Sequence, residues 1–110
     1  MTTNKQKFLK LHSLPKETSL SIEDISELSG IPEDALQEVY NRGIGAYRGN
    51  LGSVRLTKDF SKNPNTKKYP AAARLSKEQW AAARVYAFVS KTKKVYYGAD
   101  NDIRVAYGLE

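Results

Sequence analysis

Between Arg42 and Arg55 the chain reads RGIGAYRGNLGSVR, which holds four of its seven glycines and three of its six arginines. These two residue types can grip an anion together. Glycine lets main-chain N–H groups come close to a phosphate, while Arg42, Arg48 and Arg55 can each offer paired donors to its oxygens. Lys58, Lys62, Lys67 and Lys68 follow soon after in the chain, and Lys91, Lys93 and Lys94 come later. Each could neutralise one phosphate of a nucleic-acid strand. Tyr47 and Tyr69 lie among these cations, where a ring can stack on an unpaired base. In the competing reading, the glycines only make turns and the tyrosines only pack at the edge of a core. At this level both readings stand.

A second constellation is Arg84, an arginine within the apolar run WAAARVYAFV, with Asp100 and Asp102 further along. A guanidinium inside such a run needs a carboxylate or several carbonyls, because an unpaired buried charge is very costly. The expectation is an ion pair that staples Arg84 to Asp100 and Asp102. Turn chemistry accounts for aspartates in GADND without a metal, and Glu110 is the only further acid nearby.

Other chemistries find little support. There is no cysteine and a single histidine, His12, so thiolate and histidine-rich metal centres are excluded. No G-x-x-x-x-G-K-[ST] pattern marks a nucleotide loop, and no nucleophile–base–acid set can be assembled around His12. The expectation is therefore a protein that is not an enzyme and uses no cofactor. No apolar run reaches the roughly 18 residues of a membrane span, and the N-terminus lacks the apolar stretch of a secretory signal.

Charge divides unevenly. Residues 1–41 carry four lysines against seven acids. Residues 42–98 carry thirteen cations against Asp59 and Glu78 alone. A surplus so concentrated attracts polyanions, whereas interspersed charge would serve solubility equally well.

The elements that must position these residues can be read from caps and spacing. A helix over Thr3–Leu11 would carry Phe8, Leu9 and Leu11 as its apolar residues. Ser21 caps a second helix with Ile22, Ile25 and Leu28 inward, and Gly30 takes its left-handed end. Pro32 opens a third, with Leu36, Val39 and Tyr40 inward and Gly43 as its stop. The unit around SGIP resembles, over about 23 residues, the helix-turn-helix segments of bacterial repressors and resolvases. Its second helix turns Glu33, Asp34, Gln37, Glu38 and Asn41 outward, and three carboxylates there oppose groove reading. Residues 44–75 look irregular, apart from a short strand at SVRL. Ser76 and Gln79 announce a capping box for a helix apolar nearly all round from Trp80 to Val89, hence a buried one. Val95–Tyr97 and Ile103–Tyr107 have strand character, which predicts a terminal hairpin.

Taken jointly, EVYNRGIGAYRGNLGSVR and LSKEQWAAARVYAFVSK resemble a small uncharacterised domain that recurs in proteins of aquatic bacteriophages and large DNA viruses. The matching positions are Arg42, Gly43, Gly45, Ala46, Ser53, Val54, Arg55, Trp80, Ala81, Arg84, Val85 and Asp102, across roughly residues 35–103. The resemblance implies a viral origin, and so a place in the host cytoplasm or the virion, and carries no established activity. The expected fold is a single mainly helical α+β domain over residues 1–110. It comprises a helix-turn-helix-like module (1–43), a basic irregular segment (44–75) and a buried helix with a hairpin (76–110). The expected function is non-catalytic binding of nucleic acid, DNA foremost. The alternative is a virion component whose basic loop orders against capsid neighbours or a host protein.

Overall fold

A computed structural model describes residues 3–15 and 17–109, so Glu110 lies outside it. Five α-helices frame the described residues: α1 (Asn4–Leu11), α2 (Ile22–Ser29), α3 (Glu33–Ala46), α4 (Lys77–Val89) and α5 (Asn101–Ala106). Three of these starts are written locally. Thr3, Ser21 and Ser76 each accept a bond from the amide three residues on, and Gln6, Asp24 and Gln79 return it. Such reciprocal boxes satisfy two of the donors that every helix start leaves over. Gly30 closes α2 at φ 75°, a left-handed position that a side chain would strain.

α3 and α4 form the broadest helix–helix contact and the axis of the core. Leu36 and Val39 on α3 share the buried core with Val85 and Phe88 on α4. Phe8, Ile25, Ile31, Tyr96 and Ile103 close in from the remaining elements. Full burial of such side chains contributes about 1.5–3 kcal/mol each.

Four expectations give way here. Gly43 does not end α3, which runs on to Ala46. A Cβ at Gly43 would stand 2.8 Å from the Cα of Ala81, so glycine serves a close helix crossing there rather than a stop. α4 is not buried all round: Trp80 is only half-buried and Ala83 is exposed. Of its run of alanines, Ala81 packs at the α3 crossing while the small side chain of Ala83 meets water.

The terminal hairpin is absent. Val95–Ala99 is a π-turn and residues 101–106 are helical. A strand at 95–97 would pair Val95 with Tyr97 on one face. Instead Tyr96 alone is fully buried, and its ring meets Phe88 at 4.8 Å. Tertiary packing outweighs the weak β-preference of these residues. Finally, SVRL forms no strand. Its one pairing is a single antiparallel bridge from Leu56 to Arg74. Among the described residues the α+β expectation therefore reduces to a mainly helical fold.

Candidate nucleic-acid interface

The basic segment is organised by a residue that sequence reasoning passed over. Arg74 is 2% exposed and has no carboxylate within ion-pair distance among the described residues. Its guanidinium donates instead to main-chain carbonyls. Nε reaches Tyr69 O at 2.8 Å, Nη1 reaches Val54 O at 2.8 Å, and Nη2 reaches the carbonyls of Asn63 and Asn65. One side chain thus gathers four points of a loop that has little regular structure of its own. Three further bonds reinforce it: Leu75 N to Arg55 O, Thr57 N to Ala73 O, and the phenol of Tyr47 to Leu75 O. A lone arginine in AAARL was the available signal. The question put to Arg84 applied equally to Arg74.

Within this frame residues 56–61 make a tight closed turn. Phe60 N donates to Leu56 O, Leu56 N donates to Ser61 O, and Asp59 accepts from both the amide and the hydroxyl of Ser61. These bonds to Ser61 hold the Asp59 carboxyl below its usual range. Arg55 Nη1 donates to Phe60 O at 2.7 Å, which orients the turn and partly occupies that guanidinium. Phe60 sits at φ 57° and is 46% exposed. A left-handed backbone costs a residue with a side chain about 1–2 kcal/mol, and the surrounding bonds must sustain it.

The expected contact residues then divide into groups. Arg48, Lys58, Lys62, Lys67 and Lys68 are exposed. None of them pairs with an acid among the described residues. Tyr69 lies between lysines: the Lys58 ammonium is 3.4 Å from its hydroxyl and 4.9 Å from the ring centroid, and Lys68 is 5.3 Å from that centroid. The hydrogen bond from Lys58, with the charge of both lysines, pushes the phenol pKa down.

Arg42 and Tyr47 do not join this group. Tyr47 is buried, its ring set edge-on to Trp80 at 5.8 Å and its hydroxyl spent on Leu75. It cannot stack on a base. Arg42 grips Asp102 with both terminal nitrogens, at 2.8 and 2.6 Å, and lies 3.4 Å from Asp100. The hydrogen-bonded Asp102 carboxylate raises the Arg42 pKa, while the guanidinium holds Asp102 down at about 2. Arg84 donates to Asp100 through Nε and Nη2, at 2.8 and 2.7 Å. Asp100, with no exposed surface, therefore sits between two guanidinium groups. The staple expected from Arg84 reaches Asp100, whereas Asp102 belongs to Arg42.

Lys91, Lys93 and Lys94 are exposed beyond the far end of α4. The loop joins that helix at its start, at the opposite end of an axis about 20 Å long. No group of three or more potential metal-ligating side chains occurs among the described residues, and no helix among them is long and apolar enough to cross a membrane.

Beside the loop an apolar cleft of about 430 Å³ opens between α1, α2 and α4. Its walls include Leu20, Ile22, Tyr40, Leu75 and Tyr86, with Phe60 at the loop side and Lys5, Gln6 and Gln79 as polar members. No protein family, curated protein or solved structure matches this chain.

Proposed function

We propose that this is a non-catalytic nucleic-acid-binding protein of viral origin that holds phosphates, foremost those of DNA, on the loop built around Arg74. The observation that carries the reading is the division of labour among the cations. Arg74 is consumed inside the loop, whereas Lys58, Lys62, Lys67, Lys68 and Arg48 stand exposed and form no ion pair among the described residues. A loop ordered from within offers these charges to a polyanion without first losing conformational freedom. A helix-turn-helix role for α2 and α3 is not part of the proposal as a groove reader. Glu33, Asp34 and Glu38 face water on α3, where phosphates would be repelled.

Titration with labelled DNA at about 50 and 200 mM salt tests the reading, because phosphate contacts make affinity fall steeply with salt. Each of Lys58→Ala, Lys67→Ala and Arg48→Ala should weaken binding alike for all sequences, and each should lower the salt slope by about one. Full affinity in all three variants would remove the loop from the interface. Arg55 is a poorer probe, since it also supports the turn at Phe60. The competing role as a virion component predicts sedimentation with assembled capsids and no affinity for DNA.

A further inference from the structure

The cleft beside the basic loop has walls unlike those of an ordinary apolar dimple. At about 430 Å³ it falls within the range of small-molecule sites. Aromatic rings line it from several elements: Tyr40 from α3, Tyr86 from α4 and Phe60 from the loop. Gln6 and Gln79 also line it, and each is held still because its Oε1 accepts the cap amide of its own helix, at 3.0 and 2.8 Å. That use of oxygen leaves the carboxamide NH2 of each as a donor. Lys5 adds a cation on the wall. Phe60 is carried by the same turn as Lys58 and lies two residues from Lys62.

We infer that the cleft seats one unpaired nucleobase of a single strand, with Phe60 against its face and the loop lysines on its flanking phosphates. The inference rests on the nucleic-acid reading above and narrows it to single strands. A paired, stacked base cannot enter a recess in the protein, whereas a base on a flexible strand can. Charge favours this occupant on the loop side, since the segment that carries Phe60 sets Arg55, Lys58, Lys62, Lys67 and Lys68 against Asp59 alone. Across the cleft Asp24 of α2 acts on Tyr86, and Lys5 lines the wall. The amides argue against an apolar side chain of a protein partner, which would strip their water and return no acceptor. A base edge presents carbonyl and ring-nitrogen acceptors and remains an aromatic plane. The left-handed backbone at Phe60 fits a residue displayed at a cost for the sake of contact.

The test is fluorescence anisotropy with a labelled oligothymidine of about 20 nucleotides and with the same sequence as a duplex. Wild-type protein should prefer the single strand by about tenfold, the scale of one stacked base. Phe60→Ala, and separately Ala82→Trp, which fills the cleft, should erase that preference and leave duplex affinity unchanged. Ala83→Trp, at an exposed position on the same wall, repeats the filling where Ala82→Trp disturbs the fold; thermal melting checks each variant. Equal binding of the two forms, with both weakened by Lys58→Ala, overturns the single-strand inference and spares the loop reading. A preference that survives filling of the cleft also overturns it. Uptake of a hydrophobic dye, blocked by Ala82→Trp in a protein with no strand preference, would assign the cleft to an apolar partner and reject the base. Wild-type protein that binds neither form at low salt removes both proposals.

Discussion

Asp100 is the residue on which most electrostatic consequences turn. It has no exposed surface and serves two arginines, whereas Asp102 stands largely in water and serves one. Removing one member of a buried pair strands the other charge, at a cost of about 3–5 kcal/mol. Arg84 keeps 18% of its side-chain surface and Arg42 keeps Asp102, so Asp100→Ala should fall near the lower end, read as a shift in urea midpoint. Asp102→Ala should shift that midpoint far less, because solvent screens the exposed pair. Equal shifts would show that burial does not set the difference. Asp102 also predicts a pH effect. Its folded pKa of about 2 lies below the ordinary value of 3.8, so its contribution is complete above about pH 5 and is lost as pH falls toward 2. Asp102→Asn should flatten part of the acid limb of stability against pH. An unchanged limb would mean that the pair with Arg42 does not stabilise the fold.

Among the elements, the crossing of α3 and α4 and the Arg74 loop are the parts most open to a single change. Gly43→Ala places a methyl 2.8 Å from a backbone atom of Ala81, so the helices must separate. Overpacking of this kind costs about 1–3 kcal/mol. Ala81→Gly in the same chain should recover part of the loss, since the Ala81 Cβ is the second clash at 2.9 Å. Purely additive losses would mean that the two residues do not share the crossing. Arg74→Met keeps length and apolar packing but leaves the carbonyls of Val54, Asn63 and Tyr69 without this donor, and Asn65 with the Tyr69 amide alone. Trypsin should then cut faster at Lys58, Lys62, Lys67 or Lys68 while the helical signal persists. Unchanged cleavage would show that the loop is held by something other than this side chain. Trp80, half-buried against Tyr47, should cost less on truncation than the roughly 3–5 kcal/mol of a fully buried tryptophan.

For the molecule as a whole, the net charge of +6 arises from a basic middle flanked by acidic ends. The acids at the two ends are used differently. Those of α2 and α3 face water, whereas Asp100 and Asp102 fold back and withdraw Arg42 and Arg84 from the surface supply. The remaining cations repel one another, and salt screens that repulsion. Raising salt should therefore leave the melting temperature unchanged or higher while the proposed nucleic-acid binding collapses. A melting temperature that falls in parallel with binding would mean that the loop cations support the fold and are not held in reserve for a ligand.

The helix starts at Thr3, Ser21 and Ser76 and the left-handed end at Gly30 are legible in the sequence. The bonds that make them close over three or four residues, so local order contains the whole interaction. The concentration of positive charge is legible for the same reason, since it is a sum and needs no geometry. What each arginine does is not. Arg42 looks like Arg48 in its glycine-rich setting, yet a carboxylate 60 residues away claims it. Arg74, in a plain run of alanines, becomes the centre of the loop. Residues 95–106 have the composition of a hairpin and become helical because Tyr96, Asp100 and Ile103 must all reach the core at once. A guanidinium can be satisfied by any carboxylate or carbonyl that the fold brings within 3 Å or so. Only packing of the distant elements selects which one.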